Sequence, residues 1–428
     1  MKRLMFLILT AAYGQERMTL QQALDIADKA SPEIQMARLR VLESQATALS
    51  MRSGLLPQVN AGIAGAYQTS NLQGIGLAGS GLPSRVGPYR VFDARPTVTM
   101  RVLDLSLLAG VRAAQARSKQ NEAESAAVSE RTRAAVIDLY LQALEADSRA
   151  RAAEARINTA QTVLSQTADS EQAGRSSRLD VARATHQLEK ERATLIEAKS
   201  QRDVLTTLLV KTIGQDARTP VMLADLAQRS FSWDINRNAV EKEALETRPE
   251  KRAITEKGMA IDREIDQAEK QRLPKLDFSA SYGALGQGPD RALSTWQVGA
   301  SLTIPLWTSG RIENDIKAAR YRRSQWKQED RQLSQAIQQE ITQSIVEGRS
   351  AAEQLQHLTA ATNAARSTLE LARLRYEAGL TGNLDVVTAQ GELAQSEEES
   401  IRARYSGWLA EAKLARARGD VRQFVVSR

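Results

Sequence analysis

An internal repeat constrains this chain more than any other feature. Ser31-Pro32-Glu33 returns as Arg248-Pro249-Glu250, and Leu56-Pro57 returns as Leu273-Pro274 at the same offset. Residues 103–110 (LDLSLLAG) correspond to 305–310 (PLWTSG), and Gly214 corresponds to Gly419. Gly174 followed by Leu179-Asp180-Val181 returns as Gly379 followed by Leu384-Asp385-Val386. Landmarks in the same order mean two copies of one structural unit. The expected layout is a first repeat over 15–214, a linker over 215–237, a second repeat over 238–419 and a tail over 420–428.

Proline and glycine set the lengths of the elements. All ten prolines fall in short segments or between units, as they must if the rest is long helix. Residues 111–173 contain neither proline nor glycine, and 311–378 contain only Gly348. At ~1.5 Å per residue the first of these runs makes a rod on the order of 95 Å. The pattern predicts long helices over about 107–173, 178–213, 309–378 and 383–418, with shorter ones over 32–53 and 249–272. Pro32 and Pro249 sit at the first turn, where proline is tolerated. Aromatic residues are only 4% of the 428, which suits long helices packed through small side chains rather than a sandwich or a doubly wound enzyme.

Several functions are excluded by what the chain lacks. With no cysteine there is no disulfide framework, thiolate metal site, thiol nucleophile or lipid-carrying N-terminal cysteine. The two histidines, His186 and His357, fall at ordinary helical positions, so no metal site or histidine-based catalysis is expected. The net charge of +7 is spread along the chain and argues against a nucleic-acid partner. No cluster points to hydrolysis, redox chemistry or a cofactor, and the chain reads as a non-enzyme. Residues 74–79 (GIGLAG) spell a dinucleotide fingerprint, but Pro83, Gly87 and Pro88 follow, leaving no helix N-terminus to hold a pyrophosphate. Glu397-Glu398-Glu399 reads as a solvated helix face. At the start, Lys2 and Arg3 precede an apolar run over 4–9 and then Ala12-Tyr13-Gly14, the pattern of a secretory signal over 1–14.

Between the helices the period falls from 3.6 to 2. Val298, Ala300, Leu302 and Ile304 alternate with polar or small residues, as do Leu276, Phe278, Ala280 and Tyr282. Val98, Met100 and Val102 do the same, and Val59, Ala61, Ile63 and Tyr67 share a face. These patterns predict four strands, over about 58–70, 96–104, 275–286 and 295–306, arranged as one hairpin per repeat. The hairpin tips over 71–95 and 286–293 are rich in Gly, Pro and Ser and are expected to be mobile loops. A small water-exposed sheet satisfies the alternation equally well. Strands long enough for a tilted membrane crossing, the signal, and aromatics near strand ends (Tyr67, Tyr282, Trp296 and Trp307) favour a lipid interface. Four strands cannot close a barrel, and lipid tolerates no open sheet edge, so sister copies must complete it.

Two hairpin-and-long-helix repeats, with tips reading GRSSRLDV over 174–181 and GLTGNLDV over 379–386, resemble the TolC family of outer-membrane efflux proteins over nearly the whole chain. The resemblance implies a mainly α fold with a β-barrel part: a homotrimer whose helical barrel continues into a twelve-stranded β-barrel in the outer membrane and extends into the periplasm. It also implies a passive exit duct of a tripartite efflux or type I secretion system. Its partners would be a periplasmic membrane-fusion adaptor, an inner-membrane pump and outer-membrane lipid.

By the same resemblance Gly174, Arg175, Ser176, Leu179, Val181, Gly379, Leu380, Thr381, Leu384 and Val386 fall on the adaptor-docking tips. Asp180 matches an acidic residue of the closing network, Tyr376 the tyrosine that bonds to it, and Asp385 an acidic ring in the lumen. Thr381 stands where some members carry a gate-locking arginine, and Thr388 where a second acidic ring can occur, which implies a less tightly bonded gate. The tips also read as plain turns, with Ser177 and Asp180 forming a capping box and both glycines ending helices. An exported coiled-coil scaffold or adhesin with a small β-sheet is the alternative to the channel.

Overall fold

The short helices Leu20–Ala30 and Arg237–Thr247 of the two repeats pack on the middle of one long helix and the end of the next. The computed structural model describes residues 17–74, 76, 83–227 and 232–426; the signal expected over 1–14 and part of the 74–79 fingerprint lie outside them. The helices are α1 (Leu20–Ala30), α2 (Pro32–Ser53), α3 (Leu105–Gln172), α4 (Arg178–Thr212), α5 (Arg237–Thr247), α6 (Pro249–Lys270), α7 (Arg311–Glu377), α8 (Asn383–Arg418) and α9 (Arg422–Val426). The strands are β1 (Gln58–Asn60), β2 (Ala64–Asn71), β3 (Arg85–Ala94), β4 (Thr97–Asp104), β5 (Lys275–Gly286) and β6 (Ala292–Thr303). Two compact units result, and each draws segments from both repeats: one from the chain up to Leu39, Ala123–Arg252 and the chain from Arg331, the other from Arg40–Glu122 and Ala253–Asp330.

The first unit holds the larger cores. Thr19 caps α1 in a reciprocal box with Gln22, and the helix buries Leu20, Ala23, Leu24 and Ala27. These pack on Val136, Ile137, Tyr140, Leu141 and Leu144 of α3 and on Leu209 at the end of α4. The Tyr140 hydroxyl donates to Met18 O (2.9 Å) and lies 2.7 Å from Ala224 O, tying the chain before α1 to the inter-repeat linker, and burial pushes its ionisation upward. The second repeat builds the equivalent layer from Val240 and Ala244 of α5, Ile337, Ile341 and Ile345 of α7, and Ala410, Leu414 and Ala417 of α8.

Gly214 and Gly419 show the repeat at the level of single atoms. Both adopt left-handed backbone, with φ +85° and +99°, as the long helices end against the junction of the short ones. A Cβ on Gly214 would stand 2.1 Å from Ala30 O, while on Gly419 its nearest neighbour would be Arg248 Cα at 3.1 Å. Left-handed backbone costs a non-glycine residue roughly 1–2 kcal/mol, and overpacking typically adds about 1–3 kcal/mol. Gly214→Ala should therefore lower the melting temperature clearly more than Gly419→Ala in a thermal denaturation series. Equal shifts would show that the contact with Ala30 is readily relieved.

The second unit carries the sheet. Asp104 closes β4 and accepts from Leu107 N (2.9 Å), so the strand ends on the residue that caps α3. β1 and β2 are two parts of one interrupted strand, pairing with β4 and β3, and the break between β3 and β4 falls at Arg95-Pro96. β5 pairs with β4 and β3 on one side and with β6 on the other. The result is a four-stranded antiparallel ribbon whose two edges, β1–β2 and β6, have no further strand among the described residues. One sequence expectation is corrected here. The segment 71–95, expected to be a mobile loop, contains β3, which lengthens the ribbon beyond the predicted strands.

Candidate functional site

The register sorts the ribbon into two chemically distinct faces. Val59, Val98, Ala280 and Val298 form one cross-strand row; Met100, Phe278 and Ala300, then Leu103, Leu276 and Leu302, form the next two. Rows of Asn60, Thr97, Ser281 and Gln297, and of Arg101, Asp277 and Ser301, occupy the other face. Alternate residues of a strand point to opposite faces, so the apolar rows share one side. That side is open at both edges, where Val59 is 70% exposed and Leu302 60%, and half-buried along the inner strands at Val98, Met100, Leu276, Phe278 and Ala280. Of the expected interface aromatics, Tyr282 lies directly across from Trp296, and all four, with Tyr67 and Trp307, are exposed. β5 and β6 are 12 residues each, enough for a tilted crossing of a hydrocarbon core, which needs about 9–11. No described helix is long and apolar enough to cross a membrane.

In the other unit, the two helical tips are built alike. After α3, Gly174 N donates to Glu171 O (2.8 Å) and Arg175 N to Ser170 O (2.8 Å), with Gly174 at φ +72°. After α7, Gly379 N donates to Tyr376 O (2.9 Å) and Leu380 N to Arg375 O (2.9 Å), again with φ +72°. Both are Schellman ends, in which glycine satisfies the last carbonyls without a Cβ penalty.

The next helices begin differently. Ser177 caps α4 and Asp180 answers, accepting from Ser177 N (3.0 Å) and Ser177 Oγ (2.6 Å). The hydroxyl bond to Ser177, helped by Arg183, holds the Asp180 carboxyl below the usual carboxylate range. Gly382 caps α8 with no side chain, so Asp385, in the equivalent position, is exposed and has no side-chain partner among the described residues.

Two bonds join the tips. The hydroxyls of Ser176 and Tyr376 share a hydrogen bond (3.0 Å), and Asn383 Nδ2 donates to Asp180 O (3.1 Å). Tyr376 also donates to Thr167 Oγ1 (3.4 Å). The expected bond between Tyr376 and Asp180 is therefore corrected: the local cap takes the Asp180 carboxylate, and Tyr376 turns to Ser176 instead. Val386, expected on the docking surface, is 1% exposed and packs with Val163, Leu369, Ala372 and Ala389. Its position faces the interior of the helix packing. Leu179, Leu380 and Leu384 are exposed apolar residues at the ends, beside exposed Gly174, Arg175 and Gly379, whereas Ser176, Val181 and Thr381 are half-buried.

Sequence reasoning missed Asn383, which is fully buried; an asparagine after a glycine reads only as a turn. It also missed the partners of the glutamate run. Arg156 Nε donates to Glu191 (2.8 Å) and Nη2 to Glu398 (3.3 Å), while Arg366 lies 3.5 Å from Glu397. No short-range pattern signals these, because the partners lie far apart in the chain. His186 and His357 are exposed, and no group of metal-ligating side chains occurs among the described residues.

Comparison with known proteins agrees with this geometry. The family model described as outer membrane efflux protein matches residues 23–215 and 240–420, one match per repeat. The pyoverdine export outer membrane protein OpmQ of Pseudomonas aeruginosa is 26% identical over 401 residues, covering 91% of this chain and 82% of its own. The outer membrane protein OprJ of the same organism is 23% identical over 58% of this chain and 52% of its own. Among solved structures, a membrane protein from Pseudomonas aeruginosa gives a TM-score of 0.81 at 20% identity, over 94% of this chain and 90% of that one. The Campylobacter jejuni CmeC outer membrane channel gives 0.80 at 18%, over 94% and 85%.

Proposed function

This chain belongs to the outer membrane efflux protein family, and on that premise we propose that three copies close one passive duct through the outer membrane. The observation that carries the reading is the ribbon with two edges unpaired among the described residues and an apolar face that no described element fully covers. In lipid, unpaired backbone groups at an edge cost several kcal/mol each, about enough to forbid an open sheet. Edge β6 of one copy pairing with edge β1–β2 of the next removes every edge, and three copies supply twelve strands. The apolar rows then meet lipid, and the rows of Thr, Ser, Gln, Arg and Asp line an aqueous interior. A scaffold or adhesin would leave the apolar rows in water, and no observation favours it.

The helical tips form the entrance and the docking end for a periplasmic adaptor, with energy supplied by an inner-membrane pump. Exposed Leu179, Leu380 and Leu384 are the apolar contacts such a partner would cover. Cargo choice lies outside the duct. Relatives at similar identity are named for export of pyoverdine, for secretion of alkaline protease and for efflux of antibiotics and toluene. One duct architecture serving pyoverdine, a protease and toluene cannot itself be the main filter.

The test is reconstitution. The protein should fractionate with the outer membrane as a heat-modifiable trimer and conduct ions in planar bilayers. A soluble, non-conducting monomer would overturn the proposal. Asp385, uncapped and exposed, would form a ring of three like charges near the threefold axis and attract cations. Asp385→Asn should accordingly lower cation preference, on the order of severalfold, in reversal-potential measurements. Unchanged selectivity would remove Asp385 from the lumen.

A further inference from the structure

A cavity of about 250 Å³ lies among α3, α4, α7 and α8, and its walls present more donors than the protein uses. Gln390, 7% exposed, lines it with an Nε2 that has no hydrogen-bond partner. Arg373 lines it with a buried, unpartnered Nε and makes no ion pair among the described residues. Arg156, 9% exposed, contributes an Nη1 without a hydrogen bond, its nearest carboxylate oxygen on Glu397 being 3.6 Å away. The carboxylates in the wall are already committed. Glu191 takes Arg156 Nε on one oxygen and Gln187 Nε2 on the other, both at 2.8 Å, and Glu397 is shared between Arg156 and Arg366.

From this arrangement we propose that the cavity is a binding site for a small oxyanion of the size of phosphate or a simple carboxylate. Arg156 is answered by Glu191, Glu397 and Glu398, and Arg366 by Glu397, whereas Arg373 has no carboxylate partner among the described residues. Buried donors without acceptors are costly. Water can satisfy single donors, but an acceptor with several oxygens answers Arg156 Nη1, Arg373 Nε and Gln390 Nε2 together and gives Arg373 the oxyanion partner it lacks. Size sets the class: drug-sized ligands need roughly 300–1,000 Å³, so this space suits an anion of a few heavy atoms with its residual water. Arginine and amide donors in one lining are also the usual set for a multi-oxygen acceptor.

The ligand would touch both halves of the repeat. Arg156 comes from α3, Arg373 from α7 and Gln390 from α8, so one anion bridges the helices whose ends are joined at the tips. A ligand that binds one arrangement of these helices stabilises it by mass action. Anion occupancy would thereby set how readily the entrance opens; this consequence, unlike the binding itself, rests on the duct reading.

The experiment is titration of the purified full-length protein with sodium phosphate and, separately, sodium acetate, against sodium chloride at matched ionic strength. Calorimetry and thermal melting are the readouts. At least one oxyanion should bind saturably at about one site per chain and raise the melting temperature, with chloride giving only screening. Arg373→Met and Gln390→Leu should each weaken binding about tenfold or more, and Arg373→Lys should keep part of it. If Gln390→Leu fails to fold, the half-exposed Arg373 pair carries the test. Chloride acting as well as the oxyanions, no saturation in the wild type, or full affinity in Arg373→Met would each overturn the site. None of these outcomes bears on conduction, so the duct reading stands or falls separately.

Discussion

Tyr376→Phe combined with Asn383→Ala should raise the time-averaged current of the reconstituted channel far above wild type without altering the trimer. Tyr376→Phe removes the bond to Ser176 together with the longer one to Thr167, and Asn383→Ala removes the bond to Asp180 O; the two shorter bonds set the scale. A neutral hydrogen bond contributes about 0.5–1.5 kcal/mol, so two bonds in each of three copies amount to roughly 3–9 kcal/mol. An equilibrium shifts tenfold for every ~1.4 kcal/mol, which places the expected gain in open probability at roughly two orders of magnitude or more. Neither change should harm the fold. Phenylalanine keeps the ring that packs on the Leu369–Val386 cluster, and alanine also removes the Asn383 Oδ1, which is buried without a partner. Among the described residues no further bond is positioned to compensate, and the Thr381 hydroxyl at the same tip is itself unpartnered. The single variants should fall between wild type and the pair. Currents indistinguishable from wild type in the double variant would mean that these bonds shape the turn and do not hold the entrance.

The parts legible in the sequence are those written in short-range rules. Proline and glycine spacing gave the helix ends, and the alternation around Phe278 and Val298 gave the two faces of β5 and β6. β3 was missed because Gly87 and Pro88 break its alternation and proline rarely sits in a paired strand. The structure shows how it is accommodated: the register with β2 slips between Gln68 and Ser70, so Gly87 and Pro88 stand opposite Thr69 in a bulge. At the tips, the family likeness offered Asp180 to Tyr376, but the capping box closes through three residues of chain and wins on local entropy. Arg156 and its glutamates could not be read at all, since their meeting depends on how the long helices pack. The division into units across the repeats has the same origin: each layer is filled by equivalent helices from both halves.

Val298→Arg should prevent assembly in the membrane, whereas Gln297→Arg, one residue away, should be tolerated. The two positions differ only in the face they occupy. Val298 continues the row Val59, Val98 and Ala280 and is 57% exposed in the single chain, while Gln297 continues Asn60, Thr97 and Ser281. If the first row meets hydrocarbon, arginine there costs about 2–4 kcal/mol near the bilayer midplane, and threefold symmetry makes this roughly 6–12 kcal/mol per assembly. Stability margins of folded proteins are about 5–15 kcal/mol, so such a load removes most of the margin. Gln297→Arg places its charge in the aqueous interior and escapes that cost. Heat-modifiable trimer in outer-membrane fractions is the measurement, with loss expected for the first variant and retention for the second. A soluble sheet makes the opposite forecast: arginine on an already wet face, at either position, stays within about 0.5 kcal/mol of wild type. Equal assembly of the two variants would therefore place the apolar rows in water, and with them would go the reason for three copies to close a barrel.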